Sequence, residues 1–403
     1  MSNHDPKQTI TESSLRPIAA GERIQAIDIL RGVAILGVLV AFAVWNLGNP
    51  PFATYSKADI VINFVLAAFL DSKAYTLLAF LFGVGFSVQL VRANERGADI
   101  TRPYLRRLFA LLAIGLAHAL LLRNGDILVP YASMGFVLFA FRKASNRALI
   151  VAAVIISFFQ FAVYWLWSLT GIPFPVRPNT EGMGHIASNI LWVKYWYASA
   201  ITLWPAALPM FLFGLYVGRR RILENVSVHR KSLRRLAIVG FAVGILLFVG
   251  RLVLMAQTQH DPNPAALLNR ILEYSWSVHG WALAAFYAST ILLLLERPRW
   301  RRLLSPLAPA GRMALTNYLL QAAIIVPICI VFDLYDKVSP TMGFLMAAVI
   351  GLVQVPTSIL WLKYFRFGPA EWLWRSLTYG KAQPMRVRVS NTMPVNVPAH
   401  AIE

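Results

Sequence analysis

The chain contains little cysteine and little charge for its length. Its 403 residues include one cysteine, Cys329, which excludes an internal disulfide and a cysteine-based zinc site. Charged residues make up 14% of the chain, whereas a soluble domain carries roughly a quarter. The motifs His-Glu-x-x-His and Gly-x-Ser-x-Gly are also absent, so neither a zinc-hydrolase site nor a nucleophile elbow is expected. Residues 1–26 are polar without an apolar core, and we expect no cleaved signal peptide.

Long apolar runs are what the chain has in abundance, since 58% of its residues are hydrophobic. A helix crosses a bilayer with about 20 such residues. The runs predict about ten spans, near 27–46, 60–91, 105–122, 126–142, 148–170, 200–218, 234–256, 270–295, 311–332 and 341–363. We therefore predict an all-α polytopic membrane bundle over residues 27–363, in contact with membrane lipids and preceded by a polar tail over 1–26.

The net charge of +20 is concentrated in alternate loops. Arginine and lysine gather at 92–107, 142–147, 219–235, 297–302 and beyond 363, whereas the loops 47–59, 123–125, 171–199, 257–269 and 333–340 are poor in them. By the positive-inside rule both termini lie in the cytoplasm, and the turn at 123–125 faces outside. Since this rule already explains the basic loops, we expect no nucleic-acid partner. The sequence carries no signal for an oligomeric state.

Two segments depart from simple spans. Asp71, Ser72 and Lys73 interrupt the second run, which predicts a short re-entrant or interfacial piece at 60–70 before a true span at 74–91. Residues 364–380 predict a cytoplasmic amphipathic helix, in which Glu371 and Arg375 are spaced as an i, i+4 pair. A flexible basic tail is expected over 381–403.

A histidine and a carboxylate flank the outer turn between the third and fourth runs. His118 lies near the end of one span and Asp126 at the start of the next, so a short turn makes the two helices antiparallel neighbours. The alternatives are a histidine bonded to a backbone carbonyl, an N-cap role for Asp126 and a surface ion pair with Arg123. We predict that His118 faces the bundle interior and a cavity, within reach of Asp126 directly or through a water.

Other polar residues lie where insertion in lipid is costly. Asp28 and Arg31 share a helix face, as an interfacial ion pair or as part of a cytoplasmic pocket. His279 falls near mid-membrane, where an aromatic belt explains it poorly. Asn317 and Gln321 form an i, i+4 stripe, which fits hydrogen bonding between helices or a pocket wall.

Six stretches in order resemble the YeiB-like bacterial membrane proteins, the domain of unknown function 418 family. They are Asp28–Gly37 (DILRGVAILG), Leu81–Phe86 (LFGVGF), the helix from Arg106 and Arg107 to Gly115 with His118, Gly125–Leu128 with Tyr131, Gly311–Tyr318 (GRMALTNY) and Phe367–Arg375 (FGPAEWLWR). They cover residues 25–380. The Leu-Arg-Gly-x-Ala pattern of the first span also resembles that of transmembrane acyltransferases, which take an acyl group from cytoplasmic coenzyme A.

This resemblance implies a membrane-embedded acyltransferase-like protein of the bacterial inner membrane, with a histidine as general base. His118 with Asp126 is the first candidate pair, and His279 is the alternative base. The arginines expected to attract coenzyme A phosphates are Arg31, Arg106, Arg107 and Arg312, and the expected pocket residues are Asp28, Tyr131, Asn317 and Gln321. No covalent cofactor is expected; acyl-coenzyme A is the donor, and a small or lipid-linked molecule is the other substrate. The alternatives are a transporter of a small or amphipathic solute and a non-catalytic lipid-binding protein.

Overall fold

The fold is given by a computed structural model that describes residues 24–45, 47, 50–123, 125–169, 178–180, 182–200, 204–258 and 266–387. The described residues form helices, with one isolated β-bridge between Phe365 and Arg386. In chain order the helices are α1 (Gln25–Trp45), α2 (Lys57–Phe69), α3 (Lys73–Glu95), α4 (Thr101–Leu121), α5 (Leu128–Ala140), α6 (Asn146–Leu169), α7 (His185–Ala198), α8 (Leu208–Arg219), α9 (Val226–Thr258), α10 (Ala266–Leu295), α11 (Pro298–Leu304), α12 (Leu307–Arg312), α13 (Ala314–Val331), α14 (Pro340–Tyr364) and α15 (Pro369–Tyr379). Three short 3-10 turns lie at Phe52–Thr54, Phe141–Lys143 and Trp204–Ala207.

These helices make a multi-pass membrane bundle, as the apolar runs predict. In the described part of the chain, seven helical segments are long and apolar enough to cross a bilayer, and two shorter apolar helices accompany them. Large apolar side chains such as Leu246 of α9 and Leu352 of α14 point outward. Lipid is the solvent that such surfaces require. The count of about ten spans and the cytoplasmic placement of both termini remain predictions.

The predicted interruption of the second run is present. The chain leaves the helical conformation between α2 and α3, where Ser72 has a positive φ of 63°. The ammonium of Lys73, which is buried, donates to the carbonyl of Ala67 at 2.7 Å and so satisfies one of the free carbonyls at the end of α2. The break is thus stabilised by a side chain of α3.

Small residues let α1 approach its neighbours, as expected for membrane helices. A Cβ on Gly311 of α12 would collide with the carbonyl oxygen of Asp28, and one on Gly32 would collide with that of Leu307. A substitution at either glycine would therefore push α12 away from α1. This contact brings the backbone of Asp28 against Gly311, and both residues line the same cavity.

The predicted amphipathic helix after the last span is α15, in which Glu371 attracts Arg375 electrostatically but makes its hydrogen bonds to α13 instead. The carboxylate of Glu371 accepts hydrogen bonds from the N–H groups of Leu315 (2.7 Å) and Thr316 (3.1 Å) and from the hydroxyl of Thr316 (2.5 Å). Glu371 therefore caps the N-terminus of α13, where free N–H groups and the helix dipole favour an anion. Of the predicted tails, residues 1–23 and 388–403 lie outside the described residues. The described start of the predicted flexible tail is instead hydrogen-bonded to the end of the last span, where the N–H of Arg366 donates to the carbonyl of Met385.

Candidate functional site

A buried polar cluster joins three helices near the predicted outer end of α4. The Nδ1 atom of His118 lies 3.0 Å from Oδ1 of Asp126, and both side chains are 2% exposed or less. The hydroxyl of Tyr318, on α13, donates to the same Oδ1 atom at 3.0 Å. The predicted contact between His118 and Asp126 is therefore present, and Tyr318 is a third member that sequence reasoning missed.

Asp126 is held in place by the start of α5 as well. Its Oδ2 atom accepts a hydrogen bond from the N–H of Val129 at 2.9 Å, while the N–H of Ile127 donates to the Tyr318 hydroxyl at 3.2 Å. A carboxylate acceptor on Nδ1 fixes the imidazole tautomer in which Nδ1 carries the proton and Nε2 the lone pair. The Nε2 atom of His118 is buried and has no hydrogen-bond partner. The cluster therefore presents an oriented imidazole with its basic nitrogen uncommitted.

An inner cavity of about 310 Å³ opens at the predicted cytoplasmic end of the bundle. Among the described residues, its wall carries seven arginines, which are Arg31, Arg92, Arg96, Arg107, Arg312, Arg366 and Arg375. Only two carboxylates, those of Asp28 and Glu371, share the wall, and Glu371 is committed to capping α13. The excess of cations makes this cavity suited to an anionic ligand.

Three of the four predicted arginines, Arg31, Arg107 and Arg312, line the inner cavity. The fourth does not, since Arg106 is exposed and absent from the described lining. The guanidinium of Arg107 lies 4.2 Å above the ring of Trp374, which holds it in place. The Nε atoms of Arg107 and Arg312 are buried and have no hydrogen-bond partner.

The cavity arginines that sequence reasoning missed come from two places. Arg92 and Arg96 lie at the end of α3, while Arg366 and Arg375 follow the last span. Burial lowers the pKa of the Arg375 guanidinium, which indicates that it lies out of water. The density of arginine in these loops was visible in the sequence, but positive-inside topology explained it fully.

Asp28 and Arg31 form an ion pair and also line a pocket, which are the two arrangements that the sequence left open. Their side chains lie 3.4 Å apart as an i, i+3 ion pair, and both line the inner cavity. A Cβ on Gly85 would approach the Arg31 guanidinium to 3.2 Å, so the glycine leaves the room in which Arg31 lies.

An outer cavity of about 520 Å³ lies on the other side of the polar cluster. Its described wall is aromatic, with Trp45, Tyr75, Tyr131, Trp196, Tyr197, Trp204, Trp276 and Trp281. Asp126 and Arg123 line it too, and the guanidinium of Arg123 lies 4.0 Å above the ring of Phe42.

The two cavities meet at the start of α5. Ile127 and Tyr131 belong to both walls, and the Tyr131 hydroxyl bridges to the carbonyl of Tyr75 on α3. His118 itself lines neither of these two cavities, and its predicted exposure to a cavity stays a prediction. It is reached through Asp126, which lines the outer cavity, and Tyr318, which lines the inner one. The imidazole is thus buried behind its two partners.

Three other predicted residues, His279, Asn317 and Gln321, line neither of the two described cavities. His279 is buried between α9 and α10, where its Nδ1–H donates to the carbonyl of Gly244 at 2.8 Å and its ring stacks on Phe248. Asn317 donates to Ser358 of α14 at 3.1 Å, and Gln321 donates to Gln354 of the same helix at 3.0 Å. The amide stripe therefore hydrogen-bonds to α14, as its first predicted interpretation requires, and it lines neither of the two described cavities.

Fold and site together define a polytopic helical membrane protein with a basic inner cavity, an aromatic outer cavity and a buried His–Asp–Tyr cluster between them. Residues 217–381 match the family described as "Protein of unknown function (DUF418)". The chain is 34% identical over 421 residues to "Uncharacterized protein YxaH" of Bacillus subtilis (strain 168), which covers 93% of this chain and 98% of that protein. It is 29% identical over 394 residues to "Uncharacterized protein YeiB" of Escherichia coli (strain K12), with 90% and 98% covered. The chain belongs to this YeiB-like DUF418 family.

Proposed function

We propose that this protein is a membrane-embedded acyltransferase of the bacterial inner membrane. It would take an acyl group from cytoplasmic acyl-coenzyme A through the inner cavity and transfer it to an acceptor in the outer cavity. The observation that carries the proposal is the buried cluster of His118, Asp126 and Tyr318 between two cavities of opposite chemical character. Acyl transfer across the membrane requires that the donor and the acceptor reach the same general base, each from its own side of the membrane.

The donor entrance fits the phosphates of coenzyme A. Guanidinium groups bind phosphate through paired hydrogen bonds, and the buried Nε atoms of Arg107 and Arg312 are free to donate them. Arg107 and His118 are eleven residues apart on α4, which is about 16 Å of helix. A donor anchored by its phosphates at the mouth would therefore have to extend a long thin arm inward, as the pantetheine arm of coenzyme A does.

The cluster supplies the base that the transfer requires. The acceptor hydroxyl would lose its proton to Nε2 of His118 while its oxygen attacks the thioester carbonyl carbon. The carbon–sulfur bond then breaks, and the sulfur of coenzyme A leaves with the proton held by His118. Asp126 keeps the tautomer and stabilises the imidazolium, as the carboxylate does in other His–Asp pairs. Because His118 is buried behind Asp126 and Tyr318, the substrates would reach it only after these side chains move.

Proteoliposomes loaded with the purified protein and given acetyl-coenzyme A labelled in its acetyl group test the proposal. We expect protein-dependent release of free coenzyme A and label in a second product. His118→Ala should lower this rate by about 10²- to 10⁴-fold, the usual contribution of a general base. His279→Ala tests the alternative base, whose ring lies 5.2 Å from that of Trp276 in the outer-cavity wall. His229→Ala, near the start of α9, is the matched control, because this histidine lines neither described cavity. Loss of activity in the control alone, or equal rates in the wild type and His118→Ala, would refute the assignment.

A transporter is the second candidate, favoured by two observations. The cavities share Ile127 and Tyr131, and His118 lies outside both described walls. A solute moving through such a path would accumulate in the vesicles chemically unchanged, whereas an acyltransferase leaves an altered product. Mass analysis of the vesicle contents separates the two. Specific ligand binding with neither outcome would instead indicate a non-catalytic lipid-binding protein.

A further inference from the structure

The outer cavity has the chemistry of a binding site for a neutral, polyhydroxylated molecule. We propose that a carbohydrate, free or carried on a lipid, binds there as the acyl acceptor. The acceptor role rests on the proposed function, whereas the binding itself does not. The argument has three steps, which concern the shape, the charge and the uncommitted hydrogen-bonding groups of the cavity wall.

The shape of the wall is set by flat aromatic faces. Among the described residues, five tryptophans and three tyrosines line about 520 Å³, which is within the range of small-molecule sites. They are contributed by separate parts of the chain, including α1, α3, α7, the turn at Trp204–Ala207 and α10. Aromatic rings offer a large apolar face and a polar edge at low entropic cost. The C–H face and the hydroxyl edge of a sugar ring complement such a surface.

The charge of the wall argues against an ionic ligand. Two carboxylates, Asp71 and Asp126, and the guanidinium of Arg123 line the cavity. The cationic groups of Lys73 and Arg251 lie against Trp276 of the same wall, so that charges of both signs are present. Asp126 is already hydrogen-bonded to His118 and Tyr318. An anion would therefore meet the two carboxylates, and the cavity lacks the arginine excess of the inner one.

A cationic ligand is disfavoured by the groups around Trp276. The ammonium of Lys73 lies 4.4 Å from the centre of this ring and the guanidinium of Arg251 lies 4.9 Å from it. The protein's own cations thus already use the face that a quaternary ammonium would need. Electrostatic repulsion from Lys73, Arg251 and Arg123 would oppose a further positive charge.

Uncommitted hydrogen-bonding atoms remain in this wall. The hydroxyl of Ser72 and the indole N–H of Trp196 are both buried and have no hydrogen-bond partner. Buried polar groups usually find partners, and orphaned ones at a cavity point to a ligand. Hydroxyl groups satisfy both, because they donate and accept.

Binding is tested with the purified protein in lipid nanodiscs free of sugar-based detergent, by following intrinsic tryptophan fluorescence without any acyl donor. The probes are maltose, octyl glucoside below its critical micelle concentration, choline and glucuronate. We expect saturable binding of maltose or of octyl glucoside and no binding of the two ions. Binding of maltose without binding of octyl glucoside would indicate a free carbohydrate acceptor. Binding of octyl glucoside without binding of maltose would indicate a carbohydrate carried on a lipid.

Variants assign the signal to this cavity. Trp196→Leu should weaken sugar binding at least tenfold and Trp196→Phe less, because phenylalanine keeps the stacking face. Trp300→Leu, on α11 at the predicted cytoplasmic end, is the matched control and should bind normally. Preferred binding of choline or glucuronate, or no binding of either sugar probe, would overturn this proposal. Sugar binding without any acyl transfer would overturn only the proposed function.

Discussion

The inner and outer cavities differ in almost every chemical respect, although they meet at Ile127 and Tyr131. The inner wall is basic, with seven described arginines against two carboxylates, while the outer wall is aromatic and carries charges of both signs. A single path for one solute would not need two such different walls. The contrast favours two different ligands that approach one buried imidazole from opposite sides, and the following experiments break or sharpen it.

The largest expected effect is in a labelling experiment that shows which side of the membrane each cavity faces. Each position is expected to be either labelled or fully protected. A cysteine at position 146 should be protected from an impermeant thiol reagent in intact cells, whereas one at position 180 should react, because the loop charges place them on opposite sides. Each is introduced into a Cys329→Ala background and read by mass shift. The reverse labelling pattern would exchange the proposed donor and acceptor sides.

Asp126→Asn tests whether the two cavities share one base. The amide has no full charge to hold the imidazolium and does not fix its tautomer, and we expect acyl transfer to fall by up to about 10⁴-fold, as in other His–Asp pairs. Tyr318→Phe, which removes one hydrogen bond to Asp126, should have a smaller effect. Donor binding should stay unchanged in both variants, as measured by titration with coenzyme A. A changed affinity with an unchanged rate would place Asp126 in binding instead.

Arg107 lines the inner cavity, whereas the adjacent Arg106 is exposed. Comparing the coenzyme A affinities of Arg107→Gln and Arg106→Gln therefore tests whether the donor binds in the cavity. Loss of a charge-assisted hydrogen bond costs about 1.5–3 kcal/mol, which is a rise of roughly 10- to 100-fold in the dissociation constant of coenzyme A for Arg107→Gln. Arg106→Gln should change it less than about twofold, because Arg106 is exposed and screened. Equal effects would mean that net charge, and not the cavity, attracts the donor.

Glu371→Gln should destabilise the protein through the cap of α13, by about 0.5–2 kcal/mol, the range measured for helix caps. Burial raises the pKa of Glu371, although its hydrogen bonds act in the opposite direction. The folded state therefore holds a proton to higher pH than the unfolded chain, and the stability that this contributes is lost as pH rises through the raised pKa. Thermal melts across pH should show a flatter profile in the variant, and Glu95→Gln on the surface is the control. Parallel profiles would contradict this role.

The smallest effect is expected at the ion pair of α1. Asp28→Asn should change stability by less than about 1 kcal/mol, since Arg31 is partly exposed and the pair is stretched to 3.4 Å. Arg31→Lys should nevertheless weaken coenzyme A binding, because lysine lacks the fork that grips a phosphate. Unchanged binding in Arg31→Lys would limit Arg31 to a structural role.

The contact of His118 with Asp126 was predictable because a short turn forces α4 and α5 to lie side by side. Tyr318 was not, since it is 192 residues beyond Asp126 and meets it only through the packing of α13. The same limit applies to adjacent arginines. Sequence cannot distinguish Arg106 from Arg107 until the orientation of α4 is fixed by its neighbours. His279 illustrates the reverse case, in which a costly polar residue hydrogen-bonds a backbone carbonyl between two helices and lines neither described cavity.

The cap that Glu371 places on α13 has a consequence for how the protein is made. The ribosome delivers α13 and α14 before it delivers residue 371, so the N–H groups of Leu315 and Thr316 lack this partner until the segment after the last span has been made. Trp374, which covers Arg107, arrives three residues later still. The inner cavity is therefore assembled last, after its spans have entered the membrane. A chain stopped at residue 365 would insert its hydrophobic helices and yet lack the wall that closes around the donor.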